Sequence, residues 1–272
     1  MKNIMSVDLE DYFCDLPFHE WSKYESRIES STHELLDLFE KHNVKATFFT
    51  LGYIAEKFPN LIKKINDKGH EFGSHTYSHI DLRKVSKEEF EKDLLKSISV
   101  IEKNSGQKVL GFRAPFFSIN INNFWVFEIL KKHLKYDSSI FPVKSTLYGL
   151  PKAPRTIYHP SKNNPLKDDK NQNFIEIPPL TYRLFSIYNL PIAGGFYLRF
   201  FPDFVISKGI KKFNKKNNPA MLYIHPKDLD QDMPKIKEYQ WHYYFGKKNV
   251  LQKFEKILNE FDFGTAKEVL GI

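Results

Sequence analysis

A single cysteine, Cys14, occurs in the 272 residues, which excludes an intrachain disulfide and leaves stability to packing. No apolar run approaches the length of a bilayer-spanning helix. The amino terminus also lacks the apolar core of a secretory leader, because Ile4-Met5-Ser6-Val7 is interrupted at once by Asp8, Glu10 and Asp11. These absences predict a cytoplasmic protein. There is no low-complexity tract, no internal repeat and no nucleic-acid motif to accompany the net charge of +8. That excess of lysine, densest at Lys211-Lys212 and Lys215-Lys216, reads as a solvated surface with a lean towards anionic membrane.

What is present is an α/β pattern. Apolar β runs alternate with amphipathic helices through the first two-thirds of the chain, as β-α units do around a parallel sheet or barrel. Strands are predicted at Ile4 to Leu9, Ala46 to Thr50, Val109 to Phe112, Phe174 to Ile177 and Ala220 to Ile224. Ser31 or Thr32 caps a predicted helix running to about His42, Pro59 opens another that stops at Gly69, and Ser86-Lys87-Glu88-Glu89 forms a capping box. Further helices are predicted over Asn122 to Leu134 and Val250 to Phe261. The stretch from Phe141 to Asn173 is loop-like and reads as a substrate-facing excursion. Cys14 reads as a small buried apolar residue, and Trp21, Trp125 and Trp241 as packing residues.

Chemistry in β-α folds collects at the carboxyl ends of the strands. Asp8-Leu9-Glu10-Asp11 follows the first strand, and His75 and His79 follow a glycine-rich turn after the second helix. Arg113-Ala114-Pro115, Asp137 and His225-Pro226 end later strands. Two imidazoles four residues apart and a carboxylate suit a borderline divalent cation with positions left open for water and substrate. A second carboxylate, a separate histidine and an arginine supply the base, the acid and an orienting group for metal-assisted hydrolysis. Side chains on a strand alternate, so Asp8 and Glu10 share a face while Asp11 points away unless the strand has already ended. Asp8 is assigned as base and Glu10 as third ligand, with Asp11 the substitute for either.

These segments resemble the motifs of the polysaccharide deacetylases, the NodB-homology or carbohydrate esterase family 4 proteins. They include Ser6-Val7-Asp8-Leu9-Glu10-Asp11, Ala46-Thr47-Phe48-Phe49-Thr50, Gly73-Ser74-His75, Tyr77-Ser78-His79, Gly111-Phe112-Arg113-Ala114-Pro115, Tyr136-Asp137-Ser138-Ser139 and Tyr223-Ile224-His225-Pro226. Within the family the chain is most similar to the exopolysaccharide-locus branch, related to the peptidoglycan deacetylase and allantoinase-like group. The first motif departs from the commonest form, which has two adjacent aspartates. The resemblance implies one domain over residues 1–272, a distorted (β/α) barrel of about seven parallel strands. Its motifs lie in 4–230 and a helical segment in 246–272 closes it. It further implies His75 and His79 as ligands of a divalent metal, most simply Zn2+, and Arg113 as the residue orienting the base. His225 is then the general acid, and Asp137 the residue tuning it.

The implied reaction removes an N-acetyl group from an amino sugar in a glycan, an oligosaccharide or a lipid-linked precursor, releasing acetate. Two alternatives stand beside it: hydrolysis of small cyclic amides, and an inactive glycan-binding barrel. The segments from Phe141 to Asn173 and from Gly194 to Arg199 are expected to shape specificity.

Overall fold

A computed structural model describes residues 1–185 and 187–272. Its centre is a parallel sheet whose strands are β1 (Asn3–Leu9), β2 (Thr47–Thr50), β3 (Glu71–Ser74), β4 (Gly111–Phe112), β5 (Tyr136–Asp137) and β6 (Ile175–Glu176), in that spatial order. On its other edge β1 pairs with β9 (Met221–Ile224), in register Ile4 to Met221 and Val7 to Ile224. A short β10 (Phe263–Gly264) joins β1 at Asn3 and Ile4. The sheet curls into a partial (β/α) barrel.

Alternation along β1 explains both faces of the sheet. Met5, Val7 and Leu9 belong to the large core under the helices, whereas Ile4 packs inside the barrel with Phe49, Tyr136, Ile177 and Met221. Ser6 and Asp8 share the inward face with Ile4. The barrel floor is thus apolar, and polarity rises towards the strand ends.

The surrounding helices are α1 (Ile28–Lys41), α2 (Gly52–Lys57), α3 (Pro59–Asp67), α4 (Lys87–Ser105) and α5 (Val126–His133). Those that follow β6 are α6 (Phe196–Phe200), α7 (Asp203–Asn214), α8 (Pro226–Leu229), α9 (Lys247–Glu260) and α10 (Ala266–Leu270). The predicted capping box of α4 is formed in both halves, Glu89 N–H to Ser86 Oγ at 3.2 Å and Ser86 N–H to Glu89 Oε2 at 2.8 Å. Helix α1 begins earlier than predicted. Its first donors are met from outside the helix: Arg27 N–H bonds Asp11 at 3.1 Å and Ile28 N–H bonds Ser26 Oγ at 3.3 Å. Ser31 and Thr32 therefore lie buried within the helix.

Residues 141–173 contain no helix or strand, as predicted. The sequence reading did not include the antiparallel hairpin of β7 (Thr181–Leu184) and β8 (Tyr188–Pro191), nor α6 and α7. Among the described residues, no helix is long and apolar enough to cross a membrane.

Candidate active site

Four strand ends, those of β1, β3, β4 and β9, meet over the polar end of the barrel and deliver the residues that gather there. Arg113, wholly buried after β4, lies over the Phe49 ring at 4.3 Å, so the apolar floor carries its guanidinium. Its Nη1 donates to Asp8 Oδ1 at 2.6 Å and to Ser6 Oγ at 3.0 Å, while Nη2 donates to Ser138 Oγ at 2.9 Å. Asp8 is thereby held in one orientation by a charge-assisted bond.

Two residues on, at the end of the same face, is Glu10. Its Oε2 lies 2.7 Å from His79 Nε2 and 3.8 Å from His75 Nε2, and the three ligand atoms all lie within 4.8 Å of one another. His75 Nδ1 donates to the Arg113 carbonyl at 2.7 Å, and His79 Nδ1 to the Cys14 carbonyl at 2.8 Å. A carbonyl only accepts, so each Nδ1 carries the hydrogen and each Nε2 of the neutral ring turns its lone pair to the common point. Burial pushes His75 down to about 4, which keeps that ring neutral. For Glu10, burial acts upward, but its charged surroundings, the Lys227 ammonium at 2.7 Å first among them, hold the carboxyl ionised. Glu10 Oε2 is buried without a hydrogen-bond partner. Two imidazole lone pairs and an unpartnered carboxylate oxygen make a donor set that fits a divalent cation.

The histidines are not carried on a helix. Thr76 and His79 have φ of 68° and 56°, a conformation costly for residues with a Cβ. Helix α4 holds this loop in place: Asp93 accepts from Tyr77 N–H at 2.6 Å and Ser78 Oγ at 2.9 Å, and Ser97 Oγ donates to the Thr76 carbonyl at 3.0 Å. Phe116 packs on His79, with ring centroids 4.5 Å apart, and forms part of the rim.

His225 N-caps α8. Its Nε2 lies 3.7 Å from Asp8 Oδ2 and 3.6 Å from Glu10 Oε1, and its Nδ1 lies 2.9 Å from Asp228 Oδ2. Burial alone lowers the pKa of His225, and Asp228 more than reverses that. Asp228 is depressed despite burial, because His225 and Arg199 both face it, Arg199 Nε donating at 2.9 Å. Gly195 has φ of 53°, and a Cβ there would come within 3.3 Å of the His225 ring, which lets α6 begin beside the site.

Asp8, Glu10, His75, His79, Arg113 and His225 are thus brought together, and two predicted residues are not. Asp11 turns to the amino end of α1, bonded by the Ser26 hydroxyl and by Tyr12 N–H at 2.9 Å, so it is no substitute ligand. Asp137 does not tune His225. It lies buried beside Glu176 and accepts from Ser139 Oγ at 2.5 Å, and burial raises it to about 6. Asp228 stands in its place. The available signal was its position three residues after His225, at the N3 site of a helix opened by His-Pro. Lys227 and Arg199 were also missed.

A NodB-type barrel with a Glu-His-His cluster at its strand ends defines the class of the molecule. Residues 19–131 match the polysaccharide deacetylase family model, and residues 138–271 match a domain of unknown function, DUF3473. The amino-terminal part of the chain is thus similar to the polysaccharide deacetylases. A Bacillus cereus peptidoglycan-N-acetylglucosamine deacetylase is 42% identical over 105 residues, 39% of this chain and 34% of that protein. A Helicobacter pylori peptidoglycan deacetylase is 39% identical over 116 residues, 42% of this chain and 38% of that protein. The matched stretch thus spans little more than a third of these relatives. A solved peptidoglycan N-acetylglucosamine deacetylase, 20% identical, superposes with a TM-score of 0.52 over 98% of this chain and 86% of its own, a likeness of fold.

Proposed function

We propose that this protein hydrolyses the N-acetyl group of an amino sugar in a glycan or glycan precursor, releasing acetate. The observation that carries the reading is a facing pair beside the Glu-His-His cluster. Asp8, held by Arg113, stands 3.7 Å from His225, held by Asp228. The names of the relatives and the family model point to the same chemistry.

A divalent cation on Glu10, His75 and His79, Zn2+ by the nature of the donor set, would supply Lewis acidity to the acetyl carbonyl and to the attacking water. Asp8 is the base that takes the proton of that water, and Arg113 keeps its carboxylate aimed. His225, protonated and oriented by Asp228, gives a proton to the sugar nitrogen. An amide nitrogen leaves poorly without that proton, so the acid and the base are both required.

Acetate release from N-acetylglucosamine oligomers and peptidoglycan fragments, run beside ammonia or ureide release from cyclic amides, tests the reading. Acetate is expected. Turnover of cyclic amides alone would replace it, and a protein without bound metal or turnover would be a binding barrel. Asp8→Asn and His225→Ala should each lose about 10²- to 10⁴-fold in kcat while retaining metal. Metal loss in His225→Ala equal to that in His75→Ala would overturn the division of roles.

A further inference from the structure

Beside the site the surface is unexpectedly apolar. Phe200, Phe204, Trp241 and Phe245 are 50%, 67%, 64% and 43% exposed. Phe196 stacks on Phe200 at 5.4 Å and meets Trp241 at 5.8 Å, while Phe245 lies 6.0 Å from Phe200 and 5.6 Å from Trp241. Phe196, Phe200, Trp241 and Phe245 form one cluster on the corner at α6 and the start of α9, and Phe204 is exposed four residues after Phe200, in the first turn of α7. Trp241 is therefore not the packing residue that the sequence suggested. A contiguous exposed aromatic patch of this kind marks a docking surface.

Its surroundings are cationic. Residues 196–216 hold Arg199 and five lysines against one acid within the segment; that acid, Asp203, pairs with Lys256 at 3.4 Å, and of the five lysines Lys211 pairs with Glu260 at 2.5 Å. Lys208 is exposed one turn after Phe204 on the same face of α7, and Lys248 is exposed just after Phe245. A platform for sugar rings needs hydrogen-bonding edges beside its aromatic faces. Here three of the four exposed rings are phenylalanines, and Arg199 turns inward to Asp228 and to the carbonyls of residues 242, 243 and 245. A second copy of a chain with a net charge of +8 would bring like charges together.

We propose that this corner docks on an anionic lipid bilayer, its rings in the interfacial layer and Lys208 and Lys248 on the headgroups. Because α6 begins against His225, docking holds the mouth of the site at the membrane surface, within reach of membrane-anchored glycans.

Cosedimentation of the full chain with phosphatidylcholine vesicles, with and without phosphatidylglycerol, tests this without turnover, so it succeeds or fails apart from the deacetylase reading. Binding to the phosphatidylglycerol vesicles is expected, weakened by salt and accompanied by a blue shift of tryptophan emission. Trp21 is buried and Trp125 half-buried, so that shift reports Trp241. The Phe200→Ser/Phe204→Ser variant should lose about tenfold or more in partition, and Lys208→Glu/Lys248→Glu a similar amount. Natively folded protein that stays in the supernatant, or binding unchanged in both variants, overturns the proposal. So does an emission shift with N-acetylglucosamine oligomers but not with vesicles, which would make the corner a sugar platform. A dimer abolished by Phe200→Ser/Phe204→Ser, without vesicle binding, would make it a self-association surface and overturns the proposal equally.

Discussion

Glu10 and Asp11 are adjacent carboxylates of similar chemistry, and the end of β1 sends them to opposite duties. Glu10 continues the inward face set by Ser6 and Asp8 and meets the histidines, whereas Asp11 caps α1 from outside the helix. Strand alternation made that division legible. The same residue scale yields a pH prediction at His70, which is buried between Phe39 and Phe48 with Nδ1 accepting from Ala46 N–H at 3.1 Å. Burial, helped by Lys45 and Lys68, lowers its pKa to about 4, against about 6.5 in an unfolded chain. Between those values the unfolded state binds the extra proton, so stability is full above about pH 6.5 and falls as the pH drops towards 4. The loss attributable to His70 approaches about 3 kcal/mol at the acid end. Urea denaturation at pH 7 and pH 5 should show a smaller drop in His70→Gln, which keeps an acceptor but does not titrate. An equal drop in both proteins would refute the assignment.

At the scale of elements, the His75–His79 loop is held by a helix that contributes nothing to the chemistry. The H-x-x-x-H spacing was visible in the sequence. Its backbone was not, because φ values of 68° and 56° are imposed by Asp93 and Ser97 of α4, far along the chain. Asp93→Ala should therefore weaken metal affinity by about tenfold or more with all three ligands intact, read by competition with a chelating dye. Unchanged affinity would mean that the loop holds its own shape. The start of α1 was misplaced for the same reason, since its cap lies on another element. The α4 capping box, with donor and acceptor three residues apart, was read correctly.

At the scale of the molecule, residues 19–131 and 138–271 match two different family models, with β1 outside both, yet one sheet joins all three parts. β1 to β5 hold Asp8, Glu10, the histidines and Arg113, while β9 pairs with β1 and brings His225 and Asp228. A fragment ending at Asp137 would leave the β9 edge of β1 and the apolar residues facing Met221 and Ile177 open to water. It should fail to fold. Its amide NMR spectrum is expected to be poorly dispersed and its histidine pair unable to retain metal, where the full chain does both. A well-dispersed, metal-binding fragment would show that residues 1–137 form a domain in themselves.

The sequence alone was enough for a parallel β-α architecture, which the family resemblance made a barrel, and for the histidine pair, the paired face of Asp8 and Glu10, and the arginine and histidine at later strand ends. Period-two and period-3.6 patterning and strand-end placement are local properties, so they are readable in one dimension. Only the tertiary structure decided that Asp228, not Asp137, holds His225, and that Asp11 belongs to α1. It also decided that Lys227 and Arg199 enter the charge network and that Trp241 lies in water beside the site. Each of these depends on which distant groups burial brings within hydrogen-bonding distance, and no spacing along the chain encodes that.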